Sequence, residues 1–268
     1  MMTMFQRDFI NKVVHKIKDD TNVLGLAVAG SFITNETDEF SDVDLVLITE
    51  NKIAPNAVKM TEFAKRLDNF ISGFTGEHIG DRRVLICLYD DPLIHVDIKF
   101  LTLDEFHFRV ENPVVLFERN NVLSNVINTT TSAWPSLDYQ WIEDRFWTWI
   151  HYATLKIGRG ELFEALDFLA TIRGIVIAPL LQVKNKRLPR GVRKVEIHFP
   201  KSDLANLIET VASHNIDSVI AATRKTVSLY QQLRAELFST VSIQHATEKK
   251  VLDYFDHIEL RVLNKKGA

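Results

Sequence analysis

The sequence predicts an α+β protein: a mixed β-sheet with flanking helices over residues 1–130, followed by an α-helical bundle over residues 131–268. Three observations predict it. Short apolar runs of strand length and strand alternation recur as far as residue 118. From Tyr139 onward the apolar residues return at every third or fourth position instead, the period of a helix. Between the two regimes lie residues 120–136, rich in Asn, Thr and Ser and ending at Trp134-Pro135, a composition that marks a domain boundary.

The first half reads in order as follows. Residues 5–18 carry apolar side chains at 5, 9, 10, 13, 14 and 17, the stripe of an amphipathic helix. Residues 24–29 and 43–48 are bounded apolar runs and read as strands. Pro55 opens a second helix that runs to about Ile71, and Gly73, Gly76 and Gly80 then mark turns. Residues 82–89 and 93–101 read as two strands joined at Asp90-Asp91-Pro92, and residues 114–118 as a last short strand.

In the second half, Tyr139, Ile142, Phe146, Trp149, Ala153 and Ile157 define a long helix that Gly160 ends. Residues 162–183 form a dense apolar helix, bent or ended at Pro179. Three more helices are marked by Leu204 to Val211, by Ile216 to Leu237 and by Val251 to Val262. Phe146 and Trp149 read as core, while Trp141 and Trp147 are open to core or to an acceptor cleft.

Composition bounds the function. The chain has 268 residues, 46% hydrophobic, and a formal net charge of −3, which argues against a long nucleic acid as partner. A single cysteine, Cys87, rules out an internal disulfide and sits in an apolar run as core. The histidines show no ligand spacing with one another or with Cys87, so no zinc site is expected. The amino end lacks a signal-peptide core, and apolar runs such as residues 175–181 are too short to span a bilayer; a cytoplasmic protein without membrane contact is expected.

The chemistry concentrates in residues 24–50, where Gly30-Ser31 is followed by Asp42-Val43-Asp44. Asp is depleted in strands, yet two stand at the start of one, and alternation sends Asp42 and Asp44 to the same face. A carboxylate pair on rigid backbone suits a hard cation such as Mg²⁺ with substrate phosphates. Gly30 lets phosphate approach the backbone, and Ser31 offers its N–H and hydroxyl, the more so if residues 31–38 open a short helix. On a later strand, Asp97 shares a face with His95 and Lys99. An aspartate flanked by Val96 and Ile98 calls for a metal, a proton-acceptor role, or a pairing with one of its neighbours.

Gly-Ser, a spacer, Asp-x-Asp and a third carboxylate together resemble the signature of the nucleotidyltransferase superfamily, the polymerase-β-like fold. The arrangement of a small sheet followed by helices is similar to bacterial nucleotidyltransferases that modify aminoglycosides and lincosamides. The spacer here, Phe32 to Thr37, lacks the extra small residue that many members carry. The resemblance implies transfer of a nucleoside monophosphate, AMP from ATP, to a hydroxyl of a small molecule with release of pyrophosphate. It implies a catalytic domain over residues 1–130 and an acceptor-binding domain over 131–268. Asp42, Asp44 and Asp97 are then the catalytic carboxylates and Mg²⁺ ligands, and Gly30 and Ser31 hold phosphate.

Several polar features of the second half have two readings. Lys156 and Arg159 either reach the triphosphate or complement the carboxyl end of their helix. Glu143 and Asp144 either meet a cationic acceptor or serve the helix start. The cations of residues 184–194 either grip phosphates or form a solvated loop. Two rival functions stand beside the first: adenylylation of a partner protein, as in toxin and antitoxin pairs, and a nucleotide-binding regulatory module without catalysis.

Overall fold

A computed structural model describes residues 3–266 and divides into two compact units, Met1–Pro135 and Ser136–Ala268. The first unit runs α1 (Met4–Ile17), β1 (Val23–Val28), β2 (Val43–Thr49), α2 (Ala57–Ala64), β3 (Phe70–Gly76), β4 (Asp81–Tyr89), β5 (Ile94–Leu101), α3 (Leu103–Phe106), β6 (Val114–Glu118) and α4 (Val122–Thr129). Its strands form one sheet in the order β3-β4-β5-β2-β1-β6. Only β2 and β5 pair in parallel; every other neighbouring pair among the described residues is antiparallel.

The two faces of this sheet have different fates. Val43, Leu45 and Leu47 of β2 and Val96, Ile98 and Phe100 of β5 are buried in one core with Phe9, Val13, Met60 and Phe63 of α1 and α2. On the opposite face Val46, Ile48 and Leu101 pack with Phe106, Leu123 and Val126 of α3 and α4. The alternate positions Asp44, Asp97 and Lys99 also belong to this second face. Helix starts are locally encoded. Thr3 and Gln6 form a capping box on α1, Thr102 and Glu105 another on α3, and Glu118 accepts from the N–H groups of Leu123 and Ser124 at the start of α4.

Two sequence expectations are corrected. The helix from Pro55 stops at Ala64, and residues 70–76 form the edge strand β3 where turns were expected. Ile71 and Phe74 remain exposed on it, so it lacks the burial alternation that identifies a strand. Within the stretch read as a linker, residues 122–129 form α4, because Leu123 and Val126 find a buried face against the sheet.

The second unit holds α5 (Tyr139–Arg159), α6 (Leu162–Ile172), a π-helical stretch (Arg173–Ile177), α7 (Ala178–Lys184), α8 (Val195–His198), α9 (Lys201–Ile208), α10 (Ile216–Leu237) and α11 (His245–Lys266). Gly160 ends α5 with φ +76°, whereas Pro179 does not end its helix: the π-helical stretch Arg173–Ile177 precedes it and α7 runs on to Lys184. Residues 162–184 are long and apolar enough, at mean hydropathy 1.6, to cross a membrane, contrary to the expectation from the shorter run. Here Ile172, Val176, Ile177, Leu180 and Leu181 fill the bundle core.

The tryptophan assignment also changes. Phe146 and Trp147 are fully buried, Trp149 is only partly covered and Trp141 is exposed. Helix α5 packs against α6, α10 and α11, so its buried face is wider than a single stripe and takes in Trp147 and Ile150. Glu143 is wholly buried. Its carboxylate accepts from Tyr230 Oη, from Trp147 Nε1 at 3.3 Å, from Arg234 Nη1 at 3.2 Å and from the Gln244 N–H at 2.9 Å. That set of donors makes Glu143 an internal anchor of the bundle, with no lone pair turned to an acceptor.

Candidate active site

β2 and β5 run side by side in parallel, with Asp44 opposite Asp97. One residue before β2, Asp42 joins them: one carboxylate oxygen from each of Asp42, Asp44 and Asp97 lies within 4.8 Å of the others, and all three residues are half-buried. Gathered carboxylates repel one another. Burial pushes the Asp97 carboxyl above the usual range, the His95 imidazole at 3.0 Å from Oδ1 pulls it back, and the nearby Asp42 adds to the rise. A divalent cation would relieve the repulsion, and the all-oxygen donor set is one that Mg²⁺ accepts.

The Gly30-Ser31 turn lies against the same carboxylates. The Ala29 N–H donates to the Asp44 carbonyl at 2.8 Å, and Gly30 follows at φ +63° in a single turn of 3₁₀ helix, Gly30–Phe32. A Cβ on Gly30 would stand 1.9 Å from Asp44 Oδ2, so only glycine fits. Ser31 is 5% exposed, and its Oγ has no hydrogen-bond partner among the described residues. A buried hydroxyl without a partner is costly in a folded protein and marks a place for a ligand oxygen. These features fit a phosphate-bearing group with its cation.

Two residues that sequence reasoning missed complete the surroundings. Glu111, in the loop after α3, accepts from the Gly30 N–H at 3.2 Å. Gln6 of α1 is fully buried and donates from Nε2 to the carbonyls of Asp38 at 3.0 Å and Ser41 at 2.7 Å, pinning the loop that delivers Asp42. For Gln6 a signal existed, a polar residue on the apolar stripe of an amphipathic helix. For Glu111 there was none.

Beyond Asp97 on the same face, Lys99 Nζ reaches Asp81 Oδ2 at 2.9 Å, and Arg83 Nε reaches Asp81 Oδ1 at 2.8 Å. Burial acts to raise the Asp81 carboxyl, but the hydrogen bonds from Arg83 and Lys99 outweigh it and hold the group far below the usual carboxylate range. Cys87 is buried and its thiol is pushed up to about 12 by desolvation, as expected of a core residue.

The remaining predicted residues lie in the helical unit. Lys156 Nζ is held at 2.8 Å by both Glu161 and Glu164, which raise its pKa, whereas Arg159 makes one longer contact, 3.8 Å to Glu161. Both stand in the last turn of α5.

No family model and no curated protein matches the chain. Among solved structures it is similar to an aminoglycoside 6-adenyltransferase from Bacillus subtilis, at 12% identity over 97% of this chain and 99% of that one, with a TM-score of 0.40. It is similar to a spectinomycin adenyltransferase from Enterococcus faecialis solved with ATP and spectinomycin, at 10% identity over 94% and 99% of the two chains, with a TM-score of 0.31. A third is the Thermotoga maritima CCA-adding enzyme complexed with tRNA, at 12% identity over 99% of this chain and 73% of that one, with a TM-score of 0.36.

Proposed function

We propose that this chain is a Mg²⁺-dependent nucleotidyltransferase that moves AMP from ATP to a hydroxyl of a small molecule, an aminoglycoside-like or lincosamide-like acceptor, and releases pyrophosphate in the cytoplasm. The observation that carries the reading is the convergence of Asp42, Asp44 and Asp97 beside a glycine that no other residue can replace and a buried hydroxyl without a partner. A structural role alone accounts for none of these three together. The first unit would be the catalytic domain and the helical unit would bind the acceptor.

In the reaction the acceptor oxygen forms a bond to the α-phosphorus, the bond from that phosphorus to the bridging oxygen of pyrophosphate breaks, and the hydroxyl loses its proton. Asp42 and Asp44 would hold Mg²⁺, which when bound neutralises the charge gathering on the leaving group. The Gly30 and Ser31 N–H groups and the Ser31 hydroxyl would receive phosphate oxygens. Asp97 would either complete the metal site or take the proton, and His95 at 3.0 Å orients its carboxylate in both cases. Of the two cations at the end of α5, Lys156 is engaged by both Glu161 and Glu164, whereas Arg159 makes one longer contact with Glu161.

The test is pyrophosphate release with Mg²⁺ and ATP across a panel of aminoglycosides, spectinomycin and lincosamides, with Asp42→Asn, Asp44→Asn and Asp97→Asn beside the wild type. Acceptor-dependent release that falls by roughly 10³ in the first two variants, with circular dichroism unchanged, is the expected result. Turnover retained in either removes the assignment. If Asp97→Asn loses the chemical step but keeps metal-dependent ATP binding, the residue is the base; a weakened dependence on Mg²⁺ makes it a ligand.

A further inference from the structure

The carboxylate face of the sheet does not end at the triad. One register step along, Val46 follows Asp44 and Lys99 follows Asp97, and there a cavity of about 200 Å³ opens, bounded also by Ala29 next to Gly30 and by Glu111. Its floor is apolar, Val46 with Leu101 and Phe106, and its mouth carries Phe108, which is 90% exposed, and Val110, which is 43% exposed.

The charges around it are already satisfied. Arg83 and Lys99 are both bound to Asp81. Arg109 donates to Asn112 Oδ1 at 2.7 Å and to the Thr130 carbonyl at 2.9 Å, Glu105 pairs with Lys52, and Glu111 receives the Gly30 N–H. Each of the charged side chains that line the cavity, Arg83, Lys99, Glu105, Arg109 and Glu111, thus already has a hydrogen-bond or ion-pair partner. A cavity with an apolar floor, a rim whose charges are already engaged and an exposed aromatic at its mouth suits an uncharged, flat group with hydrogen-bonding edges. Its volume falls below the roughly 300 Å³ at which pockets for drug-sized ligands begin, so it suits a base better than a whole antibiotic.

We propose that this cavity seats the nucleoside end of the nucleotide, the base against Phe108 and Val46, with the triphosphate beside it at Gly30, Ser31 and the carboxylates; this rests on the function proposed above. Neither Phe108 nor Val110 is buried in a core, so both can be changed without unfolding the unit.

Calorimetry of wild type, Phe108→Ala and Val110→Trp with Mg·ATP and with Mg·tripolyphosphate separates the two subsites. The expected result is that each variant weakens ATP about tenfold, the worth of one stacked or blocked base, and leaves tripolyphosphate within about twofold. Unchanged ATP affinity in both variants overturns the proposal, as does a parallel loss of both ligands. Unchanged ATP with weakened antibiotic binding would hand the cavity to the acceptor and overturn it likewise. A wild type that binds neither triphosphate defeats the underlying function, an outcome distinct from the others.

Discussion

The backbone N–H of Gly30 donates to Oε1 of Glu111 at 3.2 Å, across 81 positions of chain. It is the same N–H that the proposed reaction needs for a phosphate oxygen, so carboxylate and phosphate cannot both occupy it. Glu111 therefore holds the turn in shape and competes with the nucleotide. Replacing it by alanine removes a charge-assisted bond worth about 1.5 kcal/mol and a like charge facing the triphosphate. Mg·ATP should bind about fivefold more tightly to Glu111→Ala by calorimetry. Weaker binding would show that the carboxylate supports the turn without competing.

Gly30→Ala should do the opposite. The left-handed backbone costs about 1–2 kcal/mol for a residue with a Cβ, which urea denaturation will register as a modest loss. The larger effect falls on Asp44, whose Oδ2 must retreat from a contact of 1.9 Å. Metal-dependent ATP binding should be lost while the far-ultraviolet spectrum stays native.

Asp81 allows a prediction with a definite sign. Its folded pKa is depressed by Arg83 and Lys99, so its contribution is present above the unfolded value of about 3.9 and is lost as pH falls toward the folded value. Asp81→Asn should cost about 1–2 kcal/mol at pH 7, discounted for partial exposure. The gap between variant and wild type should stay constant down to about pH 5 and narrow below about pH 4. A gap that widens on acidification contradicts the assignment.

In the helical unit, Arg234→Met should destabilise far more than Glu143→Gln. The first leaves a wholly buried carboxylate without its cation, a change that costs about 3–5 kcal/mol. The second removes the charge together with the need to neutralise it. Thermal unfolding of the two variants ranks them.

How much of this was legible from sequence depends on whether a residue's role is periodic. Asp42 and Asp44 stand on one face because alternation is a property of strands, and Asp97 follows from the same rule. The path of β5 beside β2 is not periodic information, since the strands are separated by β3 and β4, and only the folded sheet aligns Asp44 with Asp97. Glu111 sits in an irregular loop after Phe108-Arg109-Val110, where no spacing ties it to Gly30. Trp147 was open because a helix packed on several sides buries residues off its main stripe, and β3 was missed because its glycines read as turn residues.

The parallel pairing of β2 with β5 carries one more implication, about inheritance. Side chains on a strand change face with each step, so a slip by one residue would send Asp97 into the apolar layer under α1 and α2 and lift Ile98 toward Asp44. What forbids the slip is the burial of Val96, Ile98 and Phe100, none of which meets the carboxylate face. The oily side of the sheet is thus the custodian of the acidic side. Drift at Ile98 or Phe100 would surface first as carboxylates out of alignment, well before it surfaced as a protein unable to fold.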